Sequence, residues 1–162
     1  MKPIHLFLTG EKQVGKSTLL QKLLAKRPGP AAGFYTKKVR TVIPESPTVH
    51  ILRPGEIPSL DNLLFVCGSC KIGGTEKFNT LGCAALDHCA GAGVILMDEL
   101  GPHEGEAADF RAAVLQTLDG DIPVLGVIQE APSDFLEEIA AHPKVQVLRV
   151  TRENRDDVEK FL

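Results

Sequence analysis

The chain alternates short apolar runs with segments in which apolar residues recur every three or four positions. A run of four to eight apolar residues is typical of a buried strand, and a spacing of three and four is typical of an amphipathic helix. The pattern predicts strands at residues 4–8, 33–43, 48–52, 63–67, 93–97, 123–128 and 145–150. It predicts helices at residues 17–26, 78–89, 107–118, 133–141 and 154–162, and a glycine-rich loop at residues 68–74.

The order of these elements indicates the fold class. Strands and helices alternate through most of the chain, which favours an α/β fold with a mostly parallel sheet flanked by helices. The segments 33–43 and 48–52 differ, because Pro44 and Pro47 separate them closely and so predict an antiparallel hairpin. The 162 residues contain no repeat or obvious linker, so we expect one domain over residues 1–162.

Composition narrows the possible partners. Hydrophobic residues make up 43% of the chain and charged residues 24%, which is usual for a soluble globular protein. The net charge of -3 argues against a broad electrostatic contact with nucleic acid or an anionic membrane. No apolar run approaches the length of a membrane-spanning helix, and the N-terminal apolar run is too short for a signal peptide. We therefore expect a cytoplasmic protein with reduced cysteines and no membrane or nucleic-acid partner.

The sequence GEKQVGKS at residues 10–17 has the spacing of a phosphate-binding loop between a strand and a helix. Gly10 and Gly15 let successive backbone N–H groups converge on an anion, and the helix adds the positive end of its dipole. Lys16 is then expected to reach the β- and γ-phosphates, and the Ser17 hydroxyl to bind Mg²⁺. The predicted nucleotide-binding residues of this segment are Gly10, Glu11, Lys12, Gln13, Val14, Gly15, Lys16, Ser17 and Thr18.

A pair of acidic residues follows the buried strand at residues 93–97. Asp98 stands at the strand's C-terminal end, where α/β folds bind ligands, and an acid in this position holds Mg²⁺ in P-loop enzymes. Glu99 follows directly and is placed to orient or deprotonate an attacking water. The alternative is that the strand simply ends in two solvated acids. Glu104 lies just beyond and is either a supporting residue of this site or plain surface.

Four sequence blocks, taken in order, resemble a family of small P-loop nucleoside-triphosphatases that includes thermophile and cancer-related members. They are GEKQVGKS, GFYTKKVR at residues 33–40, VILMDELGPHE at residues 94–104 and VTRENRDDV at residues 150–158. The resemblance implies a RecA-like P-loop fold. It also implies slow, Mg²⁺-dependent hydrolysis of the terminal phosphate of ATP, GTP and other nucleoside triphosphates, with little base selectivity. Gln129 stands where the family often has a histidine.

Further candidates lie outside the two main motifs. Arg40 stands in the family-like block and is a candidate cation for the γ-phosphate, with a solvated hairpin as the alternative. Asn154 and Arg155 follow the last strand and are candidates for contact with the base, although Asn154 also suits a helix cap. Cys67 and Cys70 have the spacing of a metal or redox pair, with packing or loop thiols as the alternative.

The leading hypothesis is an enzyme that hydrolyses nucleoside triphosphates to diphosphate and phosphate. In it, Lys16 and Glu99 are the catalytic residues, and Ser17 and Asp98 bind Mg²⁺. Two alternatives remain open at this point. A small-molecule or nucleotide kinase would need an acceptor pocket and usually an arginine-rich lid. A nucleotide-dependent binding switch would hydrolyse its nucleotide only incidentally.

Overall fold

The computed structural model describes residues 3–67, 74–87 and 89–161. The strands in these ranges are β1 (His5–Thr9), β2 (Ala31–Val39), β3 (Thr48–Leu52), β4 (Leu63–Val66), β5 (Val94–Leu100), β6 (Val124–Ile128) and β7 (Val145–Arg149). The α-helices are α1 (Lys16–Ala25), α2 (Gly74–Lys77), α3 (Cys83–Asp87), α4 (Ala108–Asp119), α5 (Asp134–Ala140) and α6 (Arg155–Phe161). A π-helical turn, Phe78–Gly82, joins α2 to α3, and short 3-10 turns occupy Leu60–Asn62 and Pro102–Glu106.

The strands form one sheet in the order β4-β3-β2-β5-β6-β1-β7. The pairs β2–β5, β5–β6, β6–β1 and β1–β7 are parallel, whereas β2–β3 and β3–β4 are antiparallel. The predicted α/β class, with a mostly parallel sheet and an antiparallel hairpin, is therefore confirmed. A short connection between β2 and β3 permits only antiparallel pairing, because a parallel return needs a crossover of a dozen or more residues.

Helices cover both faces of the sheet. Alternate residues of a strand point to opposite faces, so in β1 Leu6 and Leu8 pack with the leucines of α1, whereas Phe7 packs in the cluster of α4 and α5. Helix α6 packs against α1. No helix in the described ranges is long and apolar enough to cross a bilayer.

Some predicted strand boundaries are wrong because the ends of a strand are determined by the neighbouring strands with which it pairs. Strand β2 begins at Ala31, opposite Val94 of β5, and ends at Val39, opposite Thr48 of β3, so the predicted range 33–43 is displaced. Gly33, in the middle of β2, has a φ of 93° and lies so close to β5 that a Cβ atom would overlap the backbone of Leu96.

The helix predicted at residues 78–89 begins at residue 74, inside the predicted glycine-rich loop. Its middle turn widens to a π-helix, in which Phe78 stacks on Phe110 of α4 with ring centroids 5.6 Å apart. Tertiary packing of Phe78 thus outweighs the poor helix propensity of the glycine-rich segment. Ser133 caps the start of α5, since its Oγ accepts a hydrogen bond from Leu136 N at 3.3 Å.

Replacing Asn79 with alanine should lower the free energy of unfolding by about 1 kcal/mol. The reason is that Asn79, although distant in sequence, caps the N-terminus of α4. Its Oδ1 accepts a hydrogen bond of 3.0 Å from Phe110 N in the first turn of α4, and Ala107 at the N-cap supplies no side-chain acceptor. Urea unfolding of both proteins measures the difference. Asn79→Asp is the matched control because it retains an acceptor, so an equal loss in both variants would contradict the capping role.

The buried His5 should make the stability of the protein depend on pH. Its Nδ1 accepts a hydrogen bond from Val124 N at 3.0 Å, so Nε2 carries the proton and donates to Leu118 O at 2.8 Å. Burial lowers the pKa of His5 from 6.5; the bond to Leu118 opposes this shift, and the neighbouring His142 and Lys144 add to it. The unfolded chain therefore takes up the proton first, and stability is lost as the pH falls below about 6.5.

The measurement is the free energy of unfolding of wild type and of His5→Gln between pH 8 and pH 5.5. Glutamine does not titrate in this interval, so the stability advantage of wild type should shrink as the pH falls. An advantage that stays constant across the interval would contradict the neutral, buried state of His5.

Candidate active site

The loop between β1 and α1 encloses a small cavity, which we call the phosphate cavity. Its volume is about 260 Å³, and it is lined by Lys12, Gln13, Gly15, Lys16, Ser17, Thr18 and Glu99. Gly10 has a φ of 144° and lies against the carbonyl of Val150, so a side chain there would overlap the backbone after β7. Lys16 Nζ donates to Gly10 O at 2.5 Å, which places the ammonium group inside the loop.

The remaining predicted loop residues lie around this cavity rather than in its lining. Val14 is buried in the core below α1, and Glu11 lines a second cavity of about 260 Å³ next to the loop after β7. The structure therefore brings six of the nine predicted residues to one cavity, namely Lys12, Gln13, Gly15, Lys16, Ser17 and Thr18.

Ser17 and Asp98, 81 positions apart in the chain, are in direct contact. Ser17 Oγ donates to Asp98 Oδ1 at 3.2 Å, because α1 begins beside the end of β5. Asp98 is only 7% exposed, and this burial raises its pKa to about 6. The hydrogen bond from Ser17 and the charge of Lys16 lower the pKa of Asp98, whereas the charge of Glu99 raises it.

The Ser17–Asp98 pair has the chemistry of a Mg²⁺ site. A hydroxyl and a carboxylate are the oxygen ligands that Mg²⁺ prefers, and this ion commonly takes one or two protein ligands and completes its shell with phosphates and water. In the part of the chain that the structure describes, no group of three His, Cys, Asp or Glu side chains is arranged to hold a metal alone. Ser17 and Asp98 therefore fit a Mg²⁺ ion that is also bound by the phosphates of a nucleotide.

Glu99 reaches the phosphate cavity because β5 carries an additional residue at this point. Residues 98 and 100 of β5 pair with the adjacent residues 127 and 128 of β6, so Glu99 has no opposite partner in the ladder. Gln129, just after β6, donates from Nε2 to Glu99 Oε1 at 2.8 Å. Sequence reasoning noted Gln129 only as a departure from the family pattern, and the register that brings it to Glu99 is not visible in the sequence.

Glu104 makes a hydrogen bond to the backbone just after β5. Its Oε2 accepts a hydrogen bond from Gly101 N at 2.9 Å, and the side chain is buried at the start of the 3-10 turn that follows β5. A capping contact of this kind fixes the direction in which the chain leaves the sheet. Glu104 is thus close to the site, four residues beyond the end of β5, but it does not line the phosphate cavity.

The loop after β7 is held by Asn154. The Asn154 side chain accepts from Thr151 N at 2.7 Å and donates to Arg149 O at 3.0 Å, in the turn before α6. Arg155 extends back to the phosphate loop, where Nη1 donates to Val14 O at 3.4 Å. Contact of Asn154 or Arg155 with a base stays a prediction.

The other candidates lie farther from the phosphate cavity. Arg40 is exposed beyond the end of β2 and lines none of the cavities described here, so its action on a γ-phosphate stays a prediction. Cys67 is a free, half-buried thiol, and Cys70 lies outside the described residues. The hypothesis of a metal bound by Cys67 and Cys70 is therefore left without structural support.

Comparison with known proteins gives the same family. The sequence profile of the family described as NTPase matches residues 59–161. The human cancer-related nucleoside-triphosphatase is 34% identical over 178 residues, which cover 94% of this chain and 90% of that protein. Nucleoside-triphosphatase THEP1 of Natranaerobius thermophilus is 25% identical over 169 residues, covering 100% of this chain and 96% of that protein.

A solved structure supports the fold independently. The crystal structure of THEP1 from Aquifex aeolicus superposes with a TM-score of 0.77 at 24% identity, over 99% of this chain and 96% of that one. The phosphate loop lies outside the profile match, but the full-length alignments include it. The family expected from the four sequence blocks is confirmed, and the chain belongs to the NTPase family.

Proposed function

We propose that the protein hydrolyses nucleoside triphosphates to diphosphate and phosphate, with Mg²⁺ and with little selectivity for the base. The observation that carries the proposal is the meeting of three groups at one cavity. Lys16 lies in the loop, Ser17 contacts Asp98, and Glu99 lines the same cavity from the end of β5. The names of the matched relatives, nucleoside-triphosphatases, support the reaction class.

In this proposal the phosphates lie on the backbone N–H groups at the start of α1. Lys16 exchanges the Gly10 carbonyl for phosphate oxygens, and Ser17 and Asp98 hold the Mg²⁺, which supplies positive charge to the phosphates. Glu99, fixed by Gln129, orients the attacking water and accepts its proton. Glu104 supports the site by fixing the chain after β5.

The hydrogen bonds in the loop after β7 support low selectivity for the base. The Asn154 amide is occupied by backbone groups of its own loop, so it offers little for reading a base edge. Arg155 lies beside the phosphate loop, where a guanidinium group can stack on any base. We assign both residues to the nucleotide site. Arg155 contacts the base, and Asn154 holds the loop after β7 in place.

We place this activity in the cytoplasm, in a single domain that needs no membrane or nucleic acid. The net charge of -3 supports the absence of both partners. The described cysteines Cys67, Cys83 and Cys89 are free thiols, as expected in a reducing compartment.

The test is a panel of phosphate-release assays with ATP, GTP, CTP and UTP, each with and without Mg²⁺. We expect slow release with all four nucleotides and none after chelation of the metal. Absence of release with every nucleotide would contradict the proposal, and strong preference for one nucleotide would contradict the broad selectivity.

Gln129→Leu should lower kcat by about 10- to 100-fold, because a mispositioned catalytic group loses much of its effect. Leucine keeps the approximate size of the side chain and removes only the hydrogen bond to Glu99. The same substitution is made in the Glu99→Gln background, where the catalytic carboxylate is already absent. If Gln129 acts through Glu99, its effect disappears there, and an equal loss in both backgrounds would contradict this role.

A further inference from the structure

A larger cavity lies beside the phosphate cavity, and we call it the side cavity. Its volume is about 640 Å³, within the range of sites that bind small molecules. Its lining contains three lysines, an apolar wall and a few acidic and neutral polar side chains. The proposed hydrolysis uses the phosphate cavity, the loop after β7 and water, so it leaves the side cavity without a use.

The floor of the side cavity is the antiparallel part of the sheet. Lys38 of β2 pairs with Val49 of β3, and Val49 pairs with Phe65 of β4, so these three residues form one row across the strands. Side chains in such a row lie on the same face of the sheet. Phe78, from the π-helical turn, also lines the cavity. Two phenylalanines beside aliphatic groups suit a flat, apolar ring.

The cations of the side cavity are available to a ligand. Lys12 and Lys38 line it, and within residues 3–67, 74–87 and 89–161 neither of them makes a hydrogen bond or an ion pair through its side chain. Lys37 precedes Lys38 on β2, so its side chain points to the other face of the sheet and only its backbone borders the cavity. Glu106, on the 3-10 turn after β5, offers an acceptor for hydroxyl groups. A ligand that matches this lining has a flat ring, hydroxyl groups and an anionic group, which is the composition of a nucleoside monophosphate.

The two cavities meet at Lys12 and Glu99, which line both of them. Glu99 is also the residue that the proposed hydrolysis places beside the attacked γ-phosphate. A ligand in the side cavity would therefore lie at the γ-phosphate end of a bound triphosphate. Lys12, between the two, is positioned to offset the repulsion between two phosphate groups.

We propose that the side cavity is a second-substrate site, in which a nucleoside monophosphate accepts the γ-phosphoryl group. A phosphate oxygen of the monophosphate forms a bond to the γ-phosphorus as the bond from that phosphorus to the bridging oxygen breaks. The products are two nucleoside diphosphates, and no proton needs to be removed from a dianionic acceptor. This inference rests on the proposed binding of the triphosphate in the phosphate cavity, and water takes the acceptor's place when the side cavity is empty.

The experiment uses ATP labelled at the γ-phosphate, with AMP, GMP, CMP or UMP as acceptor. Uridine supplies a ring and hydroxyl groups without the charge, and ribose 5-phosphate supplies the charge without the ring. We expect label in the diphosphate formed from at least one monophosphate and none in uridine or ribose 5-phosphate. Label that appears only as free phosphate with every monophosphate would overturn the acceptor role.

A pair of lysine variants tests the position of the site. Lys38→Ala should raise the KM for the monophosphate about tenfold, because a hydrogen bond between charged groups is lost. Lys26→Ala is the matched control, since Lys26 is exposed at the end of α1 and lines neither cavity. Equal KM values in the two variants would place the acceptor elsewhere.

The same samples distinguish a failure of the second-substrate site from a failure of the proposed hydrolysis. Phosphate release is measured first without any monophosphate. Absence of release there would contradict the proposed hydrolysis, whether or not transfer occurs. Release without transfer to any monophosphate would leave hydrolysis standing and contradict only the second-substrate site.

Discussion

Replacing Glu99 with glutamine should lower kcat for phosphate release by about 10²- to 10⁴-fold, the usual contribution of a general base. The KM should change little, because glutamine has the same size and still accepts a hydrogen bond from Gln129. As the additional residue of β5, the side chain lines the phosphate cavity, which is where the proposed function places the γ-phosphate. Only the ability to accept a proton is removed.

The measurement is steady-state phosphate release from ATP, together with titration of a fluorescent nucleotide analogue. Glu137→Gln is the matched control, since it removes the same charge from the exposed surface of α5. Full activity in Glu137→Gln with weak activity and normal binding in Glu99→Gln is the expected result. If Glu99→Gln releases phosphate as fast as wild type, Glu99 is not the catalytic carboxylate.

The sequence predicts the contact between Ser17 and Asp98 well because each part of it depends on local rules. The spacing of GEKQVGKS places Ser17 at the first turn of a helix, and the apolar run before Asp98 places that residue at the end of a buried strand. Parallel strands that end at one edge of the sheet then bring the two residues together, and the 3.2 Å contact confirms this.

The environment of Glu99 is not predictable in the same way. Its direction depends on a one-residue shift between β5 and β6, and its partner Gln129 lies just after β6, a different strand. A sequence shows which segments are strands but not how they are registered against each other when both are buried and uniformly apolar. The side cavity depends on the same kind of information, since the row of Lys38, Val49 and Phe65 exists only through the pairing of three strands.

Replacing Lys16 with methionine should lower phosphate release by about 10²- to 10³-fold, the effect of removing one donor from a site where negative charge develops. Methionine retains an unbranched stem, so the start of α1 should form as before. The affinity for a triphosphate should fall more than the affinity for a monophosphate, because Lys16 is expected to contact the β- and γ-phosphates. Competition of ATP and AMP against a fluorescent nucleotide analogue measures both affinities.

The expected loss of activity in Lys16→Met can be distinguished from an effect of the substitution on stability. In the structure Lys16 Nζ donates to the buried Gly10 carbonyl, so the variant should also lose about 1 kcal/mol of stability from that hydrogen bond. A change of this size leaves a protein of ordinary stability almost entirely folded at 25 °C, and it cannot account for a hundredfold loss in rate. Lys26→Met controls for the change of charge, because Lys26 is the exposed C-cap residue of the same helix. Equal phosphate release by Lys16→Met and Lys26→Met would show that Lys16 does not act on the nucleotide.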